Sequence, residues 1–345
     1  MRGGAVRLLT VVLVAVSALL MADASPPAAV PGRGDACGPR QGMCRSRLPV
    51  APGWTIPVYR NFPITGSRTV TDAVVVVHGD LRDPVATYVG MLKAATAAGA
   101  SGHTIIIAPA FQTSADRPGS HGARWKSSGW KDGDDAVRPR GLSSFEVMDE
   151  IMRRLADRSR FPELGHIALI GHSAGAQFTQ RYAAAGQAPA ALNGVPIDFV
   201  VANPSSYLYL EPARPDPTDR AGAPFAVPRT NCRYDDYKYG LRNRNRYLSQ
   251  LSDAQIIANY TSRHVTYLQG DADTRQDGLL DTSCAARLQG GNRFQRGTLY
   301  FDRMKARYPG APHTRFVVHA VGHDHDAMFG SPEARTVLFG APPTP

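Results

Sequence analysis

Residues 167–175 read Ile-Ala-Leu-Ile-Gly-His-Ser-Ala-Gly, a short apolar run that ends in a Gly-x-Ser-x-Gly pentapeptide. The apolar run is typical of a parallel strand that is covered on both faces. Gly171 and Gly175 leave room for a sharp turn from strand to helix, where a strained backbone would expose Ser173. Ser173 is therefore a candidate nucleophile. The first free N–H group of the next helix, on Ala174, is a candidate oxyanion donor.

A helix is predicted after this turn, because residues 174–185 are rich in helix formers and Gly186 follows as a stop. An ordinary βα turn, in which Ser173 only caps the helix, is the alternative interpretation of the pentapeptide. The predicted strand before Ser173 and helix after it favour the nucleophile.

Strands and helices alternate along the rest of the chain. Further strands are predicted at residues 55–59 (an edge strand), 73–77, 104–108, 198–202, 264–268 and 315–319. Helices are predicted at residues 84–98, after a capping box at residues 143–146, and at about residues 295–308. This alternation favours an α/β fold of three layers, with a mostly parallel central sheet and helices on both faces.

Residues 1–24 have the pattern of a secretory signal peptide. Two arginines precede an apolar stretch at residues 8–20, and Ala22-Asp23-Ala24 has the small-x-small form of a cleavage site. A membrane anchor is the competing interpretation, but the apolar stretch is shorter than the ~20 residues that span a bilayer. We therefore expect cleavage after Ala24, a secreted chain and no stable membrane anchor.

The remaining chain is expected to form one catalytic domain. Residues 25–50 are a Pro/Gly-rich leader with a predicted disulfide loop, and residues 51–345 are the domain itself. Residues 207–262, rich in Pro, Arg and Tyr, are interpreted as an inserted cap beside the active-site mouth.

The formal charge of +10 permits attraction to anionic polymers or surfaces. The basic residues are spread thinly, and no nucleic-acid-binding module surrounds the densest group, Arg242, Arg244 and Arg246. Solvation of the protein surface is the simpler explanation of the basic excess, so no nucleic-acid partner is predicted. The sequence leaves the oligomeric state open.

The four cysteines form an even set in a chain that is predicted to be exported, which indicates two disulfides. Three pairings are possible. We favour Cys37 with Cys44, a short loop near the N-terminus, and Cys232 with Cys284, which would tie the insertion to the segment after a late strand. The absence of a Cys-x-x-Cys motif argues against zinc or redox chemistry.

Together these features resemble the α/β-hydrolase superfamily, over most of residues 70–340. Its members place a nucleophile, an acid and a base in that chain order after successive strands. The resemblance implies that the acid is Asp273, three residues after the glycine that ends the strand at residues 264–268. Asp273 would orient the base and stabilise its cation. Asp271 is the main rival.

Two other interpretations apply to the aspartates at positions 271, 273, 277 and 281. A calcium loop is disfavoured because Arg275 and Gln276 stand where that pattern needs an oxygen ligand and a glycine. Alternatively, the aspartates only solvate a loop.

The last predicted strand leads to Gly322-His323, which matches the Gly-His that the superfamily carries before its final helix. The resemblance implies that His323 is the general base, and His325 is its competitor. A metal site at His-Asp-His-Asp is disfavoured, since no third His or Cys group is evident nearby.

The superfamily also needs a second oxyanion donor, from the loop after an early strand. His78-Gly79-Asp80-Leu81 occupies this position, so the N–H of Asp80 or Leu81 would pair with that of Ala174. The segment departs from the His-Gly-Gly-Gly form of one large esterase and lipase group, and Gly79 is alternatively a simple turn residue.

Trp125 and Trp130 lie in the long loop after Ala110, which in such folds projects over the carboxyl ends of the strands. Exposed indoles there would form an aromatic substrate platform. The alternative is that they pin the loop onto the body of the protein.

The sequence therefore predicts a secreted serine hydrolase that cleaves a small or polymeric carboxylic ester through an acyl-enzyme. Secreted members of the superfamily include carboxylesterases, lipases and polyester depolymerases, and the mechanism needs neither cofactor nor metal. An extracellular serine peptidase or amidase is the first alternative. A non-catalytic binding protein on a hydrolase scaffold is the second.

Overall fold

The computed structural model describes Met1, Cys37 and residues 42–215 and 224–340. The chain divides into two units, residues 1–35 and 36–345, and the fold belongs to the second. The predicted signal peptide at residues 1–24 lies, except for Met1, outside the described residues. None of the helices in the described part of the chain is long and apolar enough to cross a membrane.

The centre of the protein is an eight-stranded sheet with the order β1-β2-β4-β3-β5-β6-β9-β10, beside a small β7-β8 hairpin. The strands are β1 (Cys44–Ala51), β2 (Trp54–Arg60), β3 (Asp72–Val77), β4 (Thr104–Pro109), β5 (His166–His172), β6 (Ile197–Ala202), β7 (Arg214–Pro215), β8 (Phe225–Ala226), β9 (His264–Gly270) and β10 (His313–Val318). From β4 to β10 all neighbours in the large sheet are parallel, whereas β2 pairs antiparallel with both β1 and β4. The carboxyl ends of the parallel strands therefore share one edge of the sheet.

Helices cover both faces of this sheet. They are α1 (Pro84–Ala97), α2 (Ser144–Leu155), α3 (Ala174–Ala185), α4 (Asp253–Ser262), α5 (Cys284–Arg287), α6 (Arg293–Arg307), α7 (His325–Gly330) and α8 (Pro332–Phe339). Buried side chains of α2, α3, α4 and α6 share one apolar core, and those of α1, α7 and α8 share another. The predicted three-layer α/β fold is confirmed.

The central strands are continuously apolar because they separate these two cores. Side chains of a strand point alternately to its two faces. In β3, Val75 and Val77 accordingly lie in the core with α2 and α3, while Val74 and Val76 lie in the core with α1 and α7. Such a strand shows a run of valines rather than an apolar and polar alternation.

The start of the sheet differs from the sequence prediction. The segment predicted as an extended leader contains β1, which forms the edge of the sheet, so β2 is the second strand and not the edge. In β1 only Leu48 is buried, since the strand has a neighbour on one side only. A strand with a single buried side chain carries little apolar signal in its sequence.

The predicted cap at residues 207–262 also needs correction. Its first residues, Tyr207, Leu208 and Tyr209, are buried in the core under α6, and its last part is α4, a helix that packs beside α3. Among the described residues of this segment, Lys238 and Tyr239 are the ones that line the cleft at Ser173. The tyrosines that make the composition of this segment unusual therefore include core residues, since Tyr207 and Tyr209 pack on the ring of Tyr300.

Both disulfides have the predicted pairing, Cys37–Cys44 and Cys232–Cys284. The first lies at the start of β1, and the second joins the segment after β8 to the start of α5.

Candidate active site

Ser173 lies in the sharp turn between β5 and α3. Its φ of 58° and ψ of −117° are a strained combination for a residue with a side chain. A Cβ on Gly175 would overlap the carbonyl oxygen of Val77 and lie 2.8 Å from that of His78. A Cβ on Gly171 would in turn overlap the backbone of Gly175. Both glycines are therefore required for the close approach of β3, β5 and α3.

We expect Gly175→Ala to lower the free energy of unfolding by about 1–3 kcal/mol or more, because the backbone groups that it would contact cannot move away cheaply. Urea denaturation measures the change. Gly310→Ala is the matched control, since a Cβ there would meet nothing within 4 Å. Equal transition midpoints for the two variants would contradict the close packing described above.

His323 connects the serine to the predicted acid. Its Nε2 lies 2.9 Å from Ser173 Oγ, and its Nδ1 lies 2.7 Å from Asp273 Oδ2. An ionised carboxylate only accepts hydrogen bonds, so Nδ1 carries the proton and Nε2 accepts from the serine hydroxyl. Asp273 is buried and His323 is largely so. The structure thus brings the three predicted side chains into one chain of hydrogen bonds.

The sheet explains why residues so distant in sequence meet. β9 and β10 are parallel neighbours, so Asp273 and His323, which follow their carboxyl ends, emerge at the same edge as Ser173. Residue 270 must be glycine for the end of β9 to lie this close to the loop after β10, because a Cβ there would overlap the carbonyl oxygen of Val321.

Asp271 faces away from this chain of hydrogen bonds. Its carboxylate accepts from the backbone N–H of Ala320 at 2.7 Å and lies 2.8 Å from His319 Nδ1. The hydrogen bond with His319 is the main influence that lowers the pKa of Asp271. Asp271 therefore holds the turn after β10, and Asp273 is the carboxylate that contacts His323.

Arg293 is a buried neighbour of the acid that sequence reasoning missed. Its side chain is 0% exposed, and its guanidinium lies 3.5 Å from Asp273 Oδ1 and 2.8 Å from Asp277 Oδ1. The hydrogen bond from Arg293 is the main reason that the pKa of Asp277 falls to about 2. Arg293 thus fastens the acid to the loop that follows it. An arginine at the start of α6 carries no motif by which it could have been found.

Two further histidines surround His323. His325, the predicted competitor, begins α7 and lies 3.2 Å from Asp326 Oδ1 through its Nε2. The ring of His172 is centred 4.6 Å from that of His323. Burial, and then the nearby His323, hold the pKa of His172 well below its ordinary value, so this ring stays neutral.

The loop after β3 forms the other wall at Ser173. His78 fixes its start, because Nε2 accepts from the N–H of Phe111 at 3.1 Å and Nδ1 donates to the Gly79 carbonyl at 2.9 Å. Burial lowers the pKa of His78 to about 4, so its ring is neutral. Asp80 is held by Lys131 at 2.7 Å.

The predicted oxyanion donors lie beside Ser173. Asp80 and Leu81 line one cavity with Ser173, and Ala174, the first residue of α3, lines a second cavity with Ser173 and Asp80. The N–H groups at the start of a helix have no intrahelical acceptor and are available to an anion.

Trp125 and Trp130 do not form the predicted exposed platform. They are 1% and 0% exposed. The indole of Trp125 donates to the carbonyl of Asp134 at 3.1 Å, and the ring of Trp130 packs 4.5 Å from that of His78. Large apolar rings are more stable in the core than over an open cleft, so these residues anchor the loop and support His78.

Two cavities flank Ser173. One of about 220 Å³ is mostly apolar, and another of about 200 Å³ is lined by polar and charged groups. Leu279, exposed on the loop after Asp273, lies between them. A larger cavity of about 700 Å³ lies among residues 65–68 and 158–163, near the amino ends of β3 and β5, and contains none of the candidate catalytic groups. Throughout the described ranges, no three His, Cys, Asp or Glu residues are grouped so that they could hold a metal ion.

No protein-family model matches the chain, and no curated protein matches it in sequence. Solved structures do match it. One is a poly(3-hydroxybutyrate) depolymerase from Bordetella parapertussis, with 20% identity, a TM-score of 0.61, and coverage of 88% of this chain and 92% of that one. Another is poly(aspartic acid) hydrolase-1 from Sphingomonas sp. KT-1, with 20% identity, a TM-score of 0.59, and coverage of 88% and 99%. These similarities agree with the sheet order in assigning the fold.

Proposed function

Because this chain has the α/β-hydrolase fold, we propose that it is a serine hydrolase that cleaves carboxylic esters through an acyl-enzyme intermediate. One observation carries the proposal: the hydrogen-bonded chain from Ser173 Oγ through His323 to Asp273, at 2.9 Å and 2.7 Å. A nucleophile, a base and an orienting carboxylate in contact are what acyl transfer requires.

In the proposed acylation, Ser173 Oγ attacks the ester carbonyl carbon while His323 Nε2 takes the hydroxyl proton. The negative charge that develops on the carbonyl oxygen is stabilised by the backbone N–H groups of Ala174 and of Asp80 or Leu81. The C–O bond to the alcohol then breaks, and His323 returns the proton to the leaving oxygen. Asp273 remains ionised throughout and stabilises the imidazolium.

In the proposed deacylation, water replaces the alcohol. His323 Nε2 removes a proton from the water as its oxygen attacks the acyl carbon, and the same N–H groups hold the second oxyanion. The bond to Ser173 Oγ breaks, and His323 returns the proton to the serine. The products are the carboxylic acid and the free enzyme, and no step needs a cofactor.

We also propose that the protein is exported. The support is the pattern of residues 1–24 and the two disulfides, since disulfides persist in oxidising compartments. N-terminal sequencing of the secreted protein tests the cleavage site, with residue 25 expected as the first residue.

Comparison of 4-nitrophenyl acyl esters with aminoacyl 4-nitroanilides tests the bond type. We expect turnover of the esters, with activity across a series of acyl chain lengths giving the size preference. Polyester films are a useful second substrate, since a depolymerase shares the fold. Turnover of anilides alone would replace the esterase proposal by a peptidase or amidase. Absence of turnover of either, with an unreactive Ser173, would favour a binding protein.

A further inference from the structure

The cleft at Ser173 has two chemically different sides. The side toward α1 and α7 is lined by apolar groups that include Val77, Leu81 and Phe329. The other side is lined by the charged groups of Asp80, Lys131, Lys238 and Asp281, together with polar groups. An ester bound with its carbonyl at Ser173 therefore directs one arm to an apolar surface and the other to a charged one.

Lys238 is the charged group of this cleft that has the weakest partner. Its Nζ lies 3.7 Å from Asp132 Oδ2, and the side chain is 20% exposed. Asp132 is already bound by Arg181, at 2.8 Å and with a side chain 0% exposed. Two cations thus share one carboxylate. Among the described residues, Lys238 Nζ forms no hydrogen bond, and Asp132 is its ion-pair partner.

The other carboxylates of the cleft are engaged. Asp80 is paired with Lys131 at 2.7 Å. Asp281 accepts from the hydroxyl of Tyr239 at 2.7 Å and from the N–H of Ser283 at 3.0 Å. Burial is the main cause that lowers the pKa of Lys238, because its ammonium has lost water. Its contacts are the Asp132 carboxylate at 3.7 Å and the ring of Tyr239, whose centroid lies 5.4 Å away.

We propose that the polar side of the cleft binds a carboxylate, so that the substrate is an ester with an acidic group on one arm and an apolar group on the other. This inference rests on the proposed function. Lys238 would form the charge-assisted hydrogen bond that it lacks in the free protein.

The size of the polar side limits the acidic arm. A cavity of about 200 Å³ corresponds to roughly seven water volumes, enough for a carboxylate and a few methylene groups. The apolar side, about 220 Å³, accommodates an aromatic ring. Mono-4-nitrophenyl esters of adipic and suberic acid therefore fit both sides. Methylation of the free carboxyl group of each gives a methyl 4-nitrophenyl diester, a neutral substrate of nearly the same shape.

The test compares kcat/KM for each acid with that for its methyl ester, by release of 4-nitrophenol. We expect the wild-type protein to prefer the acids. We expect Lys238→Met to lower kcat/KM for the acids by about tenfold or more and to leave the methyl esters within about twofold. Lys238→Arg keeps the charge and should retain most of the preference. Lys126→Met, which removes an exposed charge outside the cleft, should leave both values unchanged.

Two results would overturn the inference. One is a wild-type protein that hydrolyses the methyl esters as well as the acids. The other is a Lys238→Met protein that loses both activities equally, which would mean that Lys238 only supports the cleft. Hydrolysis of neither substrate by the wild type, in contrast, would overturn the proposed function itself.

Discussion

Replacement of Ser173 by alanine is expected to lower kcat for a 4-nitrophenyl ester by about 10⁴-fold or more. The change removes the only atom of this residue that contacts His323 Nε2, so no covalent acyl-enzyme can form. The conformational strain at the φ of 58° is about the same for alanine as for serine, because both residues carry a Cβ. We therefore expect little change in the free energy of unfolding.

Ser127→Ala is the matched control, because Ser127 is exposed and the substitution removes the same oxygen. Comparison of kcat for the wild-type protein and the two variants, together with their urea denaturation, separates an effect on catalysis from an effect on folding. If the Ser173→Ala protein retains most of the wild-type kcat, the nucleophile lies elsewhere and the proposed mechanism is wrong.

Asp273→Asn is expected to lower kcat by about 10³-fold to 10⁴-fold. The amide offers an N–H group or a neutral oxygen where His323 Nδ1 now meets a carboxylate at 2.7 Å. The imidazole then loses both its fixed tautomer and the charge that stabilises its cation. Asp271→Asn is the matched control, and we expect it to change kcat only a few-fold, because Asp271 bonds to Ala320 and His319.

The opposite ranking of the two variants would assign the acid to Asp271. Equal and mild effects would mean that a carboxylate at this strand end has no part in the reaction. The pH dependence of kcat/KM for both variants distinguishes a lost orienting group from a general loss of stability, since only the former changes the titration of the base.

Much of the fold was predictable because local chemistry and global packing agree in this chain. The capping box at Ser143 and Glu146 begins α2 as expected, and α3 runs from Ala174 to Ala185 with Gly186 after it. Buried parallel strands have an apolar run that ends at a functional loop, so β3, β4 and β5 were found nearly at their true limits. The Gly-x-Ser-x-Gly turn has a steric requirement that Gly171 and Gly175 meet.

The remaining features depend on contacts between distant segments. In the sequence, Trp130 stands in a polar loop, which is typical of an exposed aromatic side chain. Its ring is buried because the fold brings it against His78, which is distant in sequence. Arg293 and Lys238 reach the site from α6 and from the segment after β8, with no local pattern to mark them. The sequence does not predict the edge strand β1, because a single buried residue, Leu48, produces no alternation of apolar and polar side chains.

Labelling with a fluorophosphonate tests the central claim most directly, since this reagent phosphonylates a serine that an adjacent base activates far faster than an ordinary serine. The folded protein is treated, digested and mapped by mass spectrometry, alongside His323→Ala and urea-unfolded samples. We predict a single adduct on Ser173 in the folded wild-type protein and none in the two comparison samples. The absence of an adduct, or its formation on a different residue, would contradict the proposed active site.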